Sequence, residues 1–188
     1  DTSIENIASS DEDLMNKYLE EGSLSDEDIR LGLRKGVLSC EIVAVLPAAS
    51  LGGKGGRRIM EQVNAVLASP LDRPAMLASD GTEIAADPTA PAVCFCFRSL
   101  NDAFSGQVNV MRVVSGKISS DSTLKNMRTG EPERLGSLIY LNGKTQTPCK
   151  DVLEPGAIIG VAKLKGTRSG DTLCDEKVSV ELDRPALP

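Results

Sequence analysis

Apolar positions change their spacing along this chain, and the changes mark its elements. In the opening third, Ile7, Leu14, Met15, Tyr18 and Leu19 recur at the repeat of one helix face. Ile29, Leu33 and Val37 mark a second such face. Ser10-x-x-Asp13 and Ser25-x-x-Asp28 stand ahead of these runs as two capping boxes, supplying acceptors to the unpaired N–H groups of a helix start. "EEGSLSDED" separates the helices. "EIVAVL", residues 41–46, is a continuous apolar run of the kind that predicts a strand buried on both faces. A glycine-rich turn follows, and Ile59, Val63, Val66 and Leu67 predict a third helix. "ASPLDRP", residues 68–74, stops it, because its two prolines cannot continue a helix.

Beyond this point the period drops to two. Residues 70–91 hold four prolines and the turn pair Asp80-Gly81, which predicts a linker and a domain boundary. Val93, Phe95 and Phe97 alternate with Cys94, Cys96 and Arg98. "QVNVMRVV", "STLKNM", "RLGSLIYL", "AIIGVAKL" and "VSVEL" predict further strands. Ser115-Gly116, Thr129-Gly130, Asn142-Gly143, Pro155-Gly156 and Ser169-Gly170 punctuate them, as in an antiparallel sandwich or barrel. One strand cannot make a sheet, so the α/β unit at the start is incomplete by itself. That incompleteness, an initial Asp and a terminal "RPALP" predict a piece of a longer chain.

Composition narrows the chemistry. Aromatic residues are 3 % and Trp is absent, so the core must be mainly Val, Leu, Ile and Ala. There is no His, which excludes a serine or cysteine triad of the usual kind. Five Cys without a second pair at metal spacing argue for buried reduced thiols in a cytoplasmic protein rather than a zinc site. No apolar run is long enough to cross a membrane as a helix. The net charge of −6 is uneven. Residues 1–28 hold ten acidic side chains and one basic, whereas residues 98–150 hold eight basic and four acidic. The acidic groups crowd helix starts, where the helix dipole favours them. The basic middle segment is the part suited to an anionic partner.

"VLPAASLGGKGGRR", residues 45–58, invites comparison with a phosphate loop. Ala48 stands where the first Gly of G-x-x-x-x-G-K-[ST] belongs, and Gly55 stands where Ser or Thr should hold magnesium. The spacing also fails the dinucleotide pattern. A flexible strand-to-helix turn is the reading that remains, with no catalytic residue and no metal site.

Several segments together resemble a known family. "SSDEDLMNKYLEEGSLSDEDIRLGLRKGVLSCEIVAVL" is similar to the late part of the GTPase domain of bacterial elongation factor G, and "VLASPLDRPA" to the exit into its second domain. "FSGQVNVMRVVSGKISSDSTLKN", "ERLGSLIYLNGK" and "LEPGAIIGVAKLKGTRSGDTLCDE" resemble that second domain, a β-barrel shared by translational GTPases. The resemblance runs from about residue 7 to 182.

It implies an α+β multi-domain segment, in which a helical α/β remnant of a P-loop GTPase domain precedes an antiparallel β-barrel of the translation-factor type. Residues 1–70 would be the end of the GTPase domain with its inserted helical subdomain. Residues 71–91 would lead into the barrel, 92–183 would be the barrel, and 184–188 would start a linker to a third domain. Ala49, Ser50 and Leu51 fall at the family's last guanine-recognition loop, usually Ser-Ala-apolar. The inverted order points to a diverged paralogue.

The family's phosphate loop, switch segments and Asn-Lys-x-Asp motif are not among these residues. GTP and Mg are therefore implied for the parent protein and not for this segment. The implied function is translocation on the ribosome, with the barrel docking on small-subunit ribosomal RNA and the rest of the chain contacting other domains. Lys117, Lys125, Arg128, Arg134 and Lys144 are the docking candidates, since they lie at or near turns in the basic segment. A ribosomal protection or recycling paralogue, or a stand-alone β-barrel interaction module, are the alternatives; an enzyme with its own site is disfavoured by the missing His.

Overall fold

The computed structural model describes residues 2–102 and 106–184. It divides into two compact units, residues 1–69 and 70–188.

The first unit is helical. Helices α1 (Thr2–Ala8), α2 (Glu12–Glu21), α3 (Asp26–Leu38) and α4 (Gly56–Val66) follow one another. The Ser25 box forms in full: the Ser25 hydroxyl accepts from the Asp28 N–H at 3.2 Å, and Asp28 Oδ2 accepts from the Ser25 N–H at 3.2 Å. The Ser10 box does not. Asp11 is the cap of α2 and accepts from the Leu14 N–H, while the Ser10 hydroxyl donates to the carbonyls of Ile7 and Gly32. An Asp beside a Ser competes for the same cap, and here the carboxylate takes it.

Ile29, Leu33 and Val37 lie on α3 as expected but are only half-buried. The buried positions of that helix are Gly32 and Gly36. A Cβ at Gly32 would lie 2.7 Å from Ile7 Cγ2 and 2.9 Å from Leu14 Cδ1, so the absence of a side chain is what admits α1 and α2.

The predicted strand at 41–46 is not a strand. Among the described residues no neighbour pairs with it, and Val43 and Val45 are 83 % and 87 % exposed. An apolar run of strand composition needs partner strands to satisfy its N–H and C=O groups, and this unit contains none among its described residues.

The second unit is β. Strands β1 (Met76–Leu77) and β2 (Glu83–Ile84) form a short hairpin inside the stretch expected as a linker. Eight strands follow: β3 (Val93–Asp102), β4 (Gly106–Ser115), β5 (Thr123–Asn126), β6 (Pro132–Arg134), β7 (Leu138–Asn142), β8 (Thr145–Cys149), β9 (Ile158–Ala162) and β10 (Thr172–Cys174). They make one antiparallel sheet in the order β6-β5-β10-β3-β4-β9-β7-β8. Leu124 and Leu135 from one end of that order share a single buried cluster with Leu138 and Cys149 from the other. The sheet therefore curls on itself as a barrel, with its ladder open between β6 and β8.

Strand β3 shows how alternation sorts side chains. Cys94 and Cys96 point into the barrel with Met111, Val113 and Leu173. Val93 and Phe95 point outward, where Ala78, Ile84, Val180 and Leu182 cover them. "VSVEL" is thus a cover segment and not a ladder strand. It touches the hairpin through one Ala78–Leu182 bridge and the Ser79 N–H to Glu181 carbonyl bond. The ladder position next to β3 belongs to "TLC", residues 172–174, which is too short to announce itself by periodicity. Strand β8 is equally hard to foresee, being polar and carrying Pro148; an edge strand tolerates both.

Gly116 shows why one turn needs glycine. Its φ is +68°, and a Cβ there would come within 2.5 Å of the Ala92 Cα.

Candidate nucleic-acid interface

The expected docking residues fall in three different situations. Lys125, on β5, and Lys144, at the tip of the β7–β8 hairpin, are exposed and have no acidic partner among the described residues. Lys117 pairs with Glu154 at 2.7 Å and Arg134 with Asp121 at 2.9 Å, all four side chains being exposed. Such pairs are weak in water, so a phosphate can displace the carboxylate. Arg134 stands opposite Thr123 in the β5–β6 ladder and Lys125 opposite Pro132, which puts both cations on one face of that edge. Lys144 belongs to the hairpin at the other end of the strand order.

Arg128 is different. Its Nε donates to Asp171 Oδ1 at 2.8 Å, and its Nη2 donates to Asp171 Oδ2 at 2.9 Å and to the Gly166 carbonyl at 2.6 Å. A bidentate guanidinium on a fully buried carboxylate is a fold contact, so Arg128 serves the barrel first.

That pair anchors a polar network which the spacing of charges does not reveal. Asn126, on β5, is fully buried. Its Nδ2 donates to Asp171 Oδ2 at 2.9 Å and to Thr167 Oγ1 at 3.2 Å, and its Oδ1 accepts from the N–H groups of Arg128 and Thr129. Glu133, on β6, accepts from the N–H groups of Lys165 and Gly166 and from the Thr167 hydroxyl. The Arg168 N–H closes on Asp171 Oδ2 at 3.0 Å.

Two carboxylates thereby hold the loop between β9 and β10 by its own backbone, and the Asn126 amide holds it through the Thr167 and Asp171 side chains. Burial alone would raise the Asp171 pKa, but the hydrogen bonds from Arg128, Asn126 and the Arg168 N–H outweigh it and hold the carboxyl below its ordinary range. The same contact raises Arg128. On this clamped loop Lys163, Lys165 and Arg168 are exposed. The sequence signal for it is "KLKGTRSGD", three cations ahead of one Asp.

Ala49, Ser50 and Leu51 begin a tight turn in the first unit. The N–H of Ala49 donates to the Lys54 carbonyl at 3.0 Å and the N–H of Lys54 to the Ala49 carbonyl at 3.2 Å, and a 3-10 turn spans Ser50–Gly52 between them. Leu51 is fully exposed at its tip. Gly55 caps α4 at φ +84°, with no side-chain bond to the helix start.

Among the described residues, no group of three His, Cys, Asp or Glu side chains is placed to hold a metal ion, and no helix is long and apolar enough to cross a membrane.

The second unit is thus a curled antiparallel barrel whose basic loops are held down by buried carboxylates. Residues 91–176 match the family model described as elongation factor G domain 2, and that segment belongs to this family. A crystal structure of a protein from Thermus thermophilus is similar over 98 % of this chain, with a TM-score of 0.74 and 25 % identity. This chain spans 26 % of that one. The structural match covers the helical unit as well as the barrel, and the barrel is a translation-factor domain.

Proposed function

We propose that this chain works as part of a ribosome-binding translational GTPase that promotes translocation, and that its barrel docks on small-subunit ribosomal RNA. The match of residues 91–176 to elongation factor G domain 2 carries the reading. GTP and Mg belong to the parent protein's nucleotide site, and the helical unit meets other domains of the same protein.

Docking of this kind is chiefly electrostatic. Cations replace counterions on phosphates, and the fixed shape of the barrel sets their register. Lys125 and Lys144 offer ammonium groups with no acidic partner among the described residues; Lys117 and Arg134 exchange an exposed carboxylate for a phosphate.

Pelleting the chain with isolated small ribosomal subunits over a salt series tests this. Saturable, salt-sensitive binding is expected. Replacing Lys117, Lys125, Arg134 and Lys144 together by Ala should flatten the slope of log K against log salt by about 3–4, at nearly one per phosphate contact. An unchanged slope would remove these residues from the interface.

A further inference from the structure

Three guanidinium groups converge on one buried carboxylate. Arg128 Nε lies 2.8 Å from Asp171 Oδ1, Arg184 Nη2 lies 3.7 Å from it and Arg168 Nε 4.0 Å. Arg128 holds the nearer place on Oδ1, and the last two stand farther off. The Asp171 oxygens already accept four hydrogen bonds, two from Arg128, one from Asn126 and one from the Arg168 backbone. At 3.7 and 4.0 Å the Arg184 and Arg168 side chains are drawn to the carboxylate but do not hydrogen-bond to it. Among the described residues they have no other acceptor. Glu133, the other acid beside this loop, is buried and bonded to the backbone of Lys165 and Gly166 and to Thr167.

The fold brings both residues to this carboxylate. Arg168 follows the clamped Gly166–Thr167 stretch. Arg184 lies across Gly170, where a Cβ would meet its Cδ and Nε at 2.9 Å. Both remain about half-exposed, 60 % for Arg168 and 49 % for Arg184. The result is two planar forks, half-exposed beside one carboxylate, with donors that no acceptor takes up among the described residues. That chemistry suits a tetrahedral oxyanion, because a guanidinium meets two phosphate oxygens at once.

We propose that Arg168 and Arg184, steadied around Asp171 beside Arg128, form a binding site for a backbone phosphate of ribosomal RNA. The proposal rests on the docking reading above and adds to it a site on the β9–β10 loop.

The test pellets the full chain and the Arg168→Gln/Arg184→Gln variant with isolated small subunits over a salt series. Amide spectra of both proteins establish that the barrel is unchanged. If the wild type binds and the variant's salt slope is shallower by about one, the site holds. If the two slopes agree, the site is overturned while docking stands. If the wild type does not bind, the docking reading falls, and titration with inorganic phosphate decides the site by itself. Saturable shifts at Arg168, Gly170 and Asp171 that vanish in the variant would support a phosphate site; no such shifts would overturn it.

Discussion

Asp171 is the buried charge that ties Arg128, Asn126 and the Arg168 backbone together. It is fully buried yet charged, because Arg128, Asn126 and the Arg168 N–H replace the water it gave up. Since its pKa is lower in the folded chain than in the unfolded one, its contribution to stability is present above the unfolded value of about 3.9 and fades as pH falls through the folded value. Asp171→Asn should cost about 2–4 kcal/mol at neutral pH, because it strands Arg128 against a neutral amide. It should also remove part of the stability loss seen below about pH 4 in denaturant titrations, since the group no longer protonates there. A variant with an unchanged acid limb would show that Asp171 does not carry it.

Cysteine gives a second prediction at this scale. Burial pushes Cys94 up to about 12 and Cys96 up to about 11, and Cys149 and Cys174 are buried too. Cys40 is exposed, against the expectation that all five thiols are interior. A thiol reagent should therefore modify one site quickly in the native protein, at Cys40, and reach all five only on unfolding. Mass spectrometry of the labelled peptides reads this directly.

Elements are legible where their signal is local. The Ser25 box forms within four residues, and the turn glycines at 116, 130, 143, 156 and 170 all have positive φ. The helix faces are met only in part: the run from Ile7 to Leu19 is split between α1 and α2, Leu19 and Val63 are exposed, and Leu67 lies past the end of α4. What pattern misses depends on distant partners. Residues 41–46 have strand composition and no strand beside them, and residues 172–174 become a ladder strand because β3 and β5 flank them. The candidate interface divides the same way. The sequence shows that Arg128 and Arg134 are basic; only the fold shows that Arg128 is held by a carboxylate forty-three residues away, a separation at which pattern carries no information.

Glycines separate local from tertiary cost. Gly130→Ala meets open space at φ +76° and should lose only about 1 kcal/mol, the cost of a left-handed backbone for a residue with a Cβ. Gly116→Ala has the same strain and a clash with Ala92 Cα, N and the Ala90 carbonyl, all backbone, so it should lose about 3 kcal/mol or more. Equal losses in thermal unfolding would mean that the close approach at Gly116 relaxes freely.

At the scale of the whole chain, the two units differ in what holds them. In the first, the fully buried apolar side chains are Ala8, Leu14, Leu24 and Val66, while Leu19, Val43, Val45, Leu51 and Met60 stay largely in water. Further support comes from capping, from Arg34 donating to the carbonyls of Ala65 and Leu67, and from the Lys17–Asp28 and Lys35–Asp11 pairs, each worth little at a solvated surface. In the second unit fifteen buried residues make one cluster and seven make another, and every one of these lies within residues 78–182. Hydrophobic burial is the dominant favourable term, so the units should differ in the free energy of opening. Hydrogen exchange is expected to show slow amides on β3, β4 and β9 and fast ones throughout α1 to α4. A chain of residues 70–188 should then keep the barrel's slow amides at unchanged rates, because it contains every residue of both clusters. Equal protection in the two halves of the intact chain, or loss of the slow set on removing residues 1–69, would instead mean that the helical unit is stabilised as part of one cooperative whole.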